Sequence, residues 1–174
     1  EVRNLDAKDL DWVIRIDSQH SGKQRREYYK VKLGEVAKDT GVRISLAAFV
    51  KGEPAGFLMG RLYYGEFGQP EPVAILDSLG VSPAFAGQHV GAALMRQLEM
   101  NLSALGIERL QTQIEWDQVD LIKFFQRAGF KPAARLCLEK PVKRPGSWCG
   151  AGGRTPGRRS ALQACGAIGV FSPS

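Results

Sequence analysis

Between Ile75 and Leu105 the hydrophobic period changes once, from two to 3.6, and the change falls on a Ser-Pro step followed by a turn with two glycines. Residues 73–81 are almost continuously apolar and are bounded by Pro72 and Ser82-Pro83, which reads as a central strand. From Val90 onward Leu94, Leu98, Leu102 and Leu105 recur at helical spacing until Gly106, so a helix spans roughly residues 88–105. A strand feeding a helix through so short a turn constrains the chain to an α/β arrangement. It also leaves the first-turn N–H groups of that helix open towards an anion, with Gly87 and Gly91 permitting close approach. The turn is neither a P-loop nor a dinucleotide fingerprint, since Gly87-Gln88-His89-Val90-Gly91 fits neither spacing.

Around this junction the pattern alternates. Asp6 and Asp9 stand at capping-box spacing, Leu5 and Leu10 at staple spacing, and Leu10, Val13 and Ile14 form an apolar face, giving a first helix near 7–19. Tyr29, Leu33, Val36 and Ala37 give a second, basic amphipathic helix near 23–38. Alternation from Val42 to Val50, a turn at Lys51-Gly52-Glu53-Pro54 and a return strand from Ala55 to Tyr64 predict a hairpin, followed by a loop over 65–72. A strand at 108–116, a helix carrying Leu121, Ile122, Phe125 and Ala128 to Gly129, and a last strand with Leu136 and Leu138 complete the domain. The expectation is a mixed-sheet α/β (α+β) domain over 1–140, with the order α-α-β-β-β-α-β-α-β after a short first strand.

Charge narrows the function classes. The net charge is +6, yet residues 141–174 contain Lys143, Arg144, Arg154, Arg158 and Arg159 and no acid. Taking those five from 24 basic residues leaves 19 against 18 acids in 1–140, so the domain lacks the positive field that nucleic acid binding needs. The stretch 141–174, rich in Gly, Pro and Arg, reads as a flexible tail without a catalytic role. No apolar run approaches the ~20 residues of a membrane span, and the charged start is unlike a signal peptide. Cys137, Cys149 and Cys165 have no metal-ligand spacing, so no metal site and a reducing, cytoplasmic setting are expected; Cys137 reads as a buried small hydrophobe.

The run Ile75-Leu76-Asp77-Ser78-Leu79-Gly80-Val81-Ser82-Pro83-Ala84-Phe85-Ala86-Gly87-Gln88-His89-Val90-Gly91-Ala92-Ala93-Leu94-Met95, followed by Phe124-Phe125-Gln126-Arg127-Ala128-Gly129-Phe130, resembles the GNAT superfamily of acyl-CoA N-acyltransferases over about residues 2–140. The resemblance implies a splayed sheet whose central strand, at Leu79, Gly80, Val81 and Ser82, aligns the pantetheine arm of acetyl-CoA. It implies that backbone N–H groups across Gly87, Gln88, His89, Val90, Gly91 and Ala92 hold the pyrophosphate. The family's asparagine falls near Gln118, and its thiolate-protonating tyrosine falls on Phe125, which has no proton to give. Ala86 and His89 stand where the signature has Gln or Arg and its central glycine.

Acylation of a primary amine requires the acceptor ammonium to lose a proton before it attacks the thioester. Asp77, a carboxylate in an apolar strand, and Glu115, beside Trp116 and Asp117, are the candidate catalytic residues, as base or ammonium anchor. Tyr28, Tyr29, Tyr63 and Tyr64 are the hydroxyls that could serve as acid. Phe57, Tyr63, Tyr64 and Phe67 either line an acceptor pocket or belong to the core. The expected activity is acetyl transfer from acetyl-CoA to an amine in a ternary complex, and the alternative is a GNAT-like acyl-CoA-binding module without catalysis. A homodimer is expected, from an exposed edge that a second chain would complete.

Overall fold

The computed structural model describes residues 1–38, 44–64, 71–134 and 137–140. The elements are β1 (Val2–Asn4), α1 (Leu10–Ser21), α2 (Arg26–Lys38), β2 (Leu46–Val50), β3 (Glu53–Tyr63), β4 (Val73–Val81), α3 (Val90–Ala104), β5 (Leu110–Thr112) and α4 (Val119–Arg127). They form one five-stranded sheet in sequential order, antiparallel from β1 to β4 and parallel between β4 and β5. This is the α+β mixed sheet expected from the period change.

Local chemistry sets the helix ends. Asp6 caps a 3-10 turn at Ala7–Asp9 in a capping box with Asp9, and α1 continues from it until Gly22, whose φ of 65° ends the helix in the left-handed conformation. Helix α3 ends before Gly106 (φ 68°).

The helices cover both faces of the sheet. On one face α3 and α4 bury Leu94, Leu98, Leu102, Leu121 and Phe125 against Leu46, Leu58, Leu76, Leu79 and Val81. A fully buried leucine contributes about 1.5–3 kcal/mol relative to an exposed one, so this layer fixes where α3 lies and where it starts. On the other face α1 and α2 bury Val13, Ile14, Ile16, Tyr29 and Leu33 over Ala47, Phe57 and Met59. Phe57 is 1% exposed, with Trp12 and Tyr29 edge-on to its ring, so it is core.

Three expectations are corrected at the end of the chain. The strand foreseen over 108–116 is only Leu110–Thr112, because it pairs with β4 at Ala74, Ile75 and Leu76 and no further. The closing strand is not present among the described residues: Leu136 lies outside them, and residues 137–140 carry no regular structure. Cys137 is therefore exposed rather than buried, with no strand ladder to carry it into the core. Val42, Phe67 and the tail 141–174 also lie outside the described residues.

Candidate active site

A bulge in β4 creates the site. Along the β3–β4 ladder Met59 faces Ser78 but Gly60 faces Leu76, so Asp77 is the extra residue. In an antiparallel pair, residues alternate between turning N–H and C=O towards the partner and away from it, so one extra residue reverses the phase. Before the bulge, Ala74 donates to the Arg109 carbonyl and the Leu76 carbonyl accepts from Thr112 Oγ1, both towards β5. After it, the Ser82 N–H turns to the Ala55 carbonyl on the β3 side (2.8 Å). Gly80 then also faces β3, and Leu79 and Val81 turn their backbone groups to the opposite edge.

On that edge β5 is absent, since its pairing stops opposite Leu76. The sheet splays, and Leu79 and Val81 line the opening with backbone donors and acceptors. Of the four residues expected to align a ligand arm here, these two present their backbone to the cleft. Ser82 spends its N–H on Ala55 and its carbonyl on the Phe85 N–H. Gly80 allows close packing instead: a Cβ there would stand 2.6 Å from Phe57 Cε1 and 3.3 Å from Ile16 Cγ2.

The open edge leads into the start of α3. A 3-10 turn at Pro83–Phe85 is followed by Gly87 and His89 with φ of 74° and 58°, and α3 begins at Val90. His89 accepts the Ala93 N–H on its carbonyl and makes no side-chain cap, and the first turn of α3 has no acid. The N–H groups of Val90, Gly91 and Ala92 therefore point from the positive end of a 15-residue helix with no side chain of their own covering them. Gln88 uses its N–H on Phe85, at 3.3 Å. Gly91 serves packing as well, since a Cβ would lie 3.2 Å from the Phe124 ring. Gly87 meets nothing within 4 Å and is explained by its φ alone.

At the N-terminus of α4, Gln118 Oε1 is buried and has no hydrogen-bond partner. A buried acceptor in that state calls for a donor. Phe125, by contrast, is 2% exposed and packs edge-on against Phe124 and Phe130. Its ring is part of the apolar core under α3 and α4, and without a hydroxyl it gains only from burial there.

On the α1/α2 face the bulge directs Asp77 and Ser78 to the same side. Asp77 Oδ2 accepts from Lys32 Nζ (3.2 Å) and from Arg61 (3.1 Å), and its side chain is 14% exposed. Ser78 is buried in hydrogen-bonding contact with the Tyr29 phenol, which donates to Asp17 Oδ1 at 2.9 Å. Asp17 in turn is held by the Arg25 guanidinium. Burial, with the Asp17 charge adding to it, pushes the Tyr29 phenol well above its ordinary value, so this hydroxyl is a poor proton donor. Tyr63 and Tyr64 are exposed at the far end of β3, and Tyr28 stacks edge-on against Tyr29. Glu115 is exposed, three residues beyond β5, and makes no side-chain hydrogen bond or ion pair among the described residues. The structure thus brings Asp77 to the bulge and leaves Glu115 outside the strand.

One residue at the cleft has no sequence signal at all. His20, in the last turn of α1, places Nε2 2.5 Å from the outward carbonyl of Val81. A surface cavity of about 700 Å³ lies elsewhere, between the C-terminal ends of α3 and α4 and the start of β5, around Leu102, Arg109, Gly129 and Phe130. It is at the opposite end of β5 from the splay.

The sheet is thus splayed beside its bulged central strand, with a helix start that has no side-chain cap at the mouth of the opening. The chain belongs to the acetyltransferase (GNAT) family, whose model matches residues 7–130. Solved structures agree on the fold. A transcriptional regulator from Bacillus halodurans C-125 superposes with a TM-score of 0.70 at 19% identity, over 82% of this chain and 99% of the other. The aminoglycoside N-acetyltransferase AAC(6')-Iy, solved with CoA, gives 0.68 at 17% identity, over 81% and 93%. The aminoglycoside 6'-N-acetyltransferase AAC(6')-IG from Acinetobacter haemolyticus gives 0.66 at 15%, over 82% and 99%.

Proposed function

We propose that the domain spanning residues 1–140 transfers an acetyl or other short acyl group from acyl-CoA to a primary amine. The observation that carries this reading is the continuity of the open β4 edge, at Leu79 and Val81, with the uncovered N-terminus of α3. The orphaned Oε1 of Gln118 fits the same ligand, since it lies buried without a donor. Bound acyl-CoA supplies an activated thioester; every other part belongs to the chain.

Leu79 and Val81 bind the pantetheine arm through backbone groups, Gln118 accepts from it, and the N–H groups of Val90, Gly91 and Ala92 hold the pyrophosphate. His89 puts a Cβ where the family signature has glycine. Asp77 holds the acceptor ammonium near the bulge or receives its proton through water, with Lys32 and Arg61 fixing its orientation. Glu115 is the second carboxylate within reach of an amine entering past the end of β5. Because Tyr29 is held by Asp17 and Phe125 has no hydroxyl, the departing thiolate takes its proton from solvent. In the same reading the outer edge of β5, unpaired among the described residues, is where a second copy completes the sheet.

Acetyl-CoA at about a hundred times its dissociation constant stabilises the folded state by about 2.7 kcal/mol. A thermal midpoint raised by several degrees with acetyl-CoA, and unmoved by ATP or NAD, is the expected result. Release of CoA thiol is then followed across mixed amines, beginning with aminoglycosides because two of the similar folds act on them. In Asp77→Asn the pH–rate profile is expected to change in shape; an unchanged profile removes Asp77 from proton transfer. A second reading, an acyl-CoA-binding module without turnover, is favoured by one observation, the buried ring of Phe125. Thermal stabilisation without thiol release above the protein-free rate would select it.

A further inference from the structure

The hydrogen-bonding phase of β4 exposes another residue to the proposed ligand. After the Asp77 bulge, Val81 turns its carbonyl to the open edge, yet that carbonyl is not empty: His20 Nε2 lies 2.5 Å from it. A carbonyl oxygen only accepts, so Nε2 must hold the proton and donate. Residues 20 and 81 meet because α1 lies over the end of β4, with Ile16 packed at Gly80. Its neighbour on the same edge, Leu79, has no comparable contact from a side chain among the described residues.

We infer that His20 is a latch on the acyl-donor site. It occupies the Val81 carbonyl in the free protein and yields it when the pantetheine arm of CoA binds. This inference rests on the acyl-CoA reading above. The arm's amide N–H and the imidazole N–H approach the same acceptor from the same open side of the strand. Breaking the imidazole contact therefore lowers the apparent affinity for any donor that carries the arm. Release costs the protein one net hydrogen bond and no more, because the cleft is open to water and the ring is only half-buried. The nucleotide half of the donor lies at the α3 N-terminus, beyond the reach of the latch. His20 is thus a positioning residue that separates arm binding from phosphate binding.

The test compares CoA with 3′-phospho-ADP, which lacks the arm, by calorimetric titration of the whole chain. In His20→Phe, which keeps an aromatic ring without the donor, and in His20→Ala, CoA is expected to bind about three- to tenfold more tightly, the factor that one net hydrogen bond commands. Binding of 3′-phospho-ADP is expected to stay as in the wild type. In the wild type, the ring ¹⁵N–¹H signal of His20 is expected to lose its hydrogen-bonded shift on saturation with CoA and to keep it with 3′-phospho-ADP. CoA affinity unchanged or weakened in both variants, or a His20 signal that CoA leaves in place, overturns the latch while the acyl-CoA reading stands. A wild-type chain that binds neither compound overturns both.

Discussion

The two faces of the sheet are held by different forces. Under α3 and α4 the core cluster is hydrocarbon, from Ile44 to Phe125, with no buried charge among the described residues. Under α1 and α2 the apolar core is interrupted by both buried carboxylates of the described residues, Asp9 and Asp17. Asp9 gathers the Arg3 guanidinium in two bonds, the Asp6 N–H and the Trp12 indole N–H. Asp17 gathers Arg25, Tyr29 and Ser21. Apolar packing is tolerant of direction, whereas a buried carboxylate is stable only with its donors in place. The apolar face therefore sets where the N-terminal end of α3 sits. The polar face fixes how α1 and α2 stand over the bulge, and with them Lys32, Asp77, Ser78 and His20.

Removing one buried charge is the strongest way to break this contrast. Asp17→Ala removes the buried carboxylate that Arg25 and Tyr29 share and is expected to cost about 3–5 kcal/mol in urea unfolding. Leu94→Ala, fully buried on the apolar face, is expected to cost about 2–5 kcal/mol, set by how far the hole collapses. The contrast lies in the site: the leucine variant that still folds should retain the Asp77 geometry, read as an unchanged pH–rate shape, while the aspartate variant should not.

A pH scan sharpens the comparison further. Burial alone would raise the Asp9 carboxyl, but the Arg3 fork, the Asp6 N–H and the Trp12 N–H more than offset it and hold it below the ordinary carboxylate range. A folded value below the unfolded one means that its stabilisation is complete above about pH 4 and is lost as pH falls through the lower folded value. Asp9→Asn is expected to cost about 1.5–3 kcal/mol at pH 7 and to flatten the acid limb of stability, measured by urea midpoints from pH 7 to pH 3.

The smallest effect belongs to the apolar face. His89 holds φ at 58°, a conformation that costs an L side chain about 1–2 kcal/mol. Glycine relieves that strain and gives some of it back as unfolded-chain entropy. His89→Gly is expected to raise stability by no more than about 1 kcal/mol and to tighten binding of 3′-phospho-ADP, since a Cβ leaves the mouth of α3. A loss of stability would show that the imidazole makes a compensating contact.

Much of the fold was legible because its signals are short-range. Strand β4 falls on residues 73–81 as its apolar run requires, α3 begins and ends within two residues of the expected bounds, and the Asp6–Asp9 capping box forms. The strand expected over 108–116 shortened for a reason that no local window contains: its partner reverses its edge at Asp77. For that same reason Glu115 finishes in the exposed segment beyond β5. Asp77 could be singled out as a charge in an apolar strand, but not its pairing with Lys32 and Arg61, which come from two other elements. A lone histidine at a helix end gives no sign that it will meet the carbonyl of Val81.

What the sequence by itself determined is the succession of elements as far as α4 and the helix start without a side-chain cap, since a Ser-Pro step, two glycines and a change of period act within a few residues of one another. What only the tertiary structure decided is the phase of β4: the bulge at Asp77, the outward turn of Leu79 and Val81, and the arrival of His20. A strand's side-chain pattern reports which face is buried. Which of its backbone groups find partners depends on the strands beside it, and those are set by the register of the whole sheet.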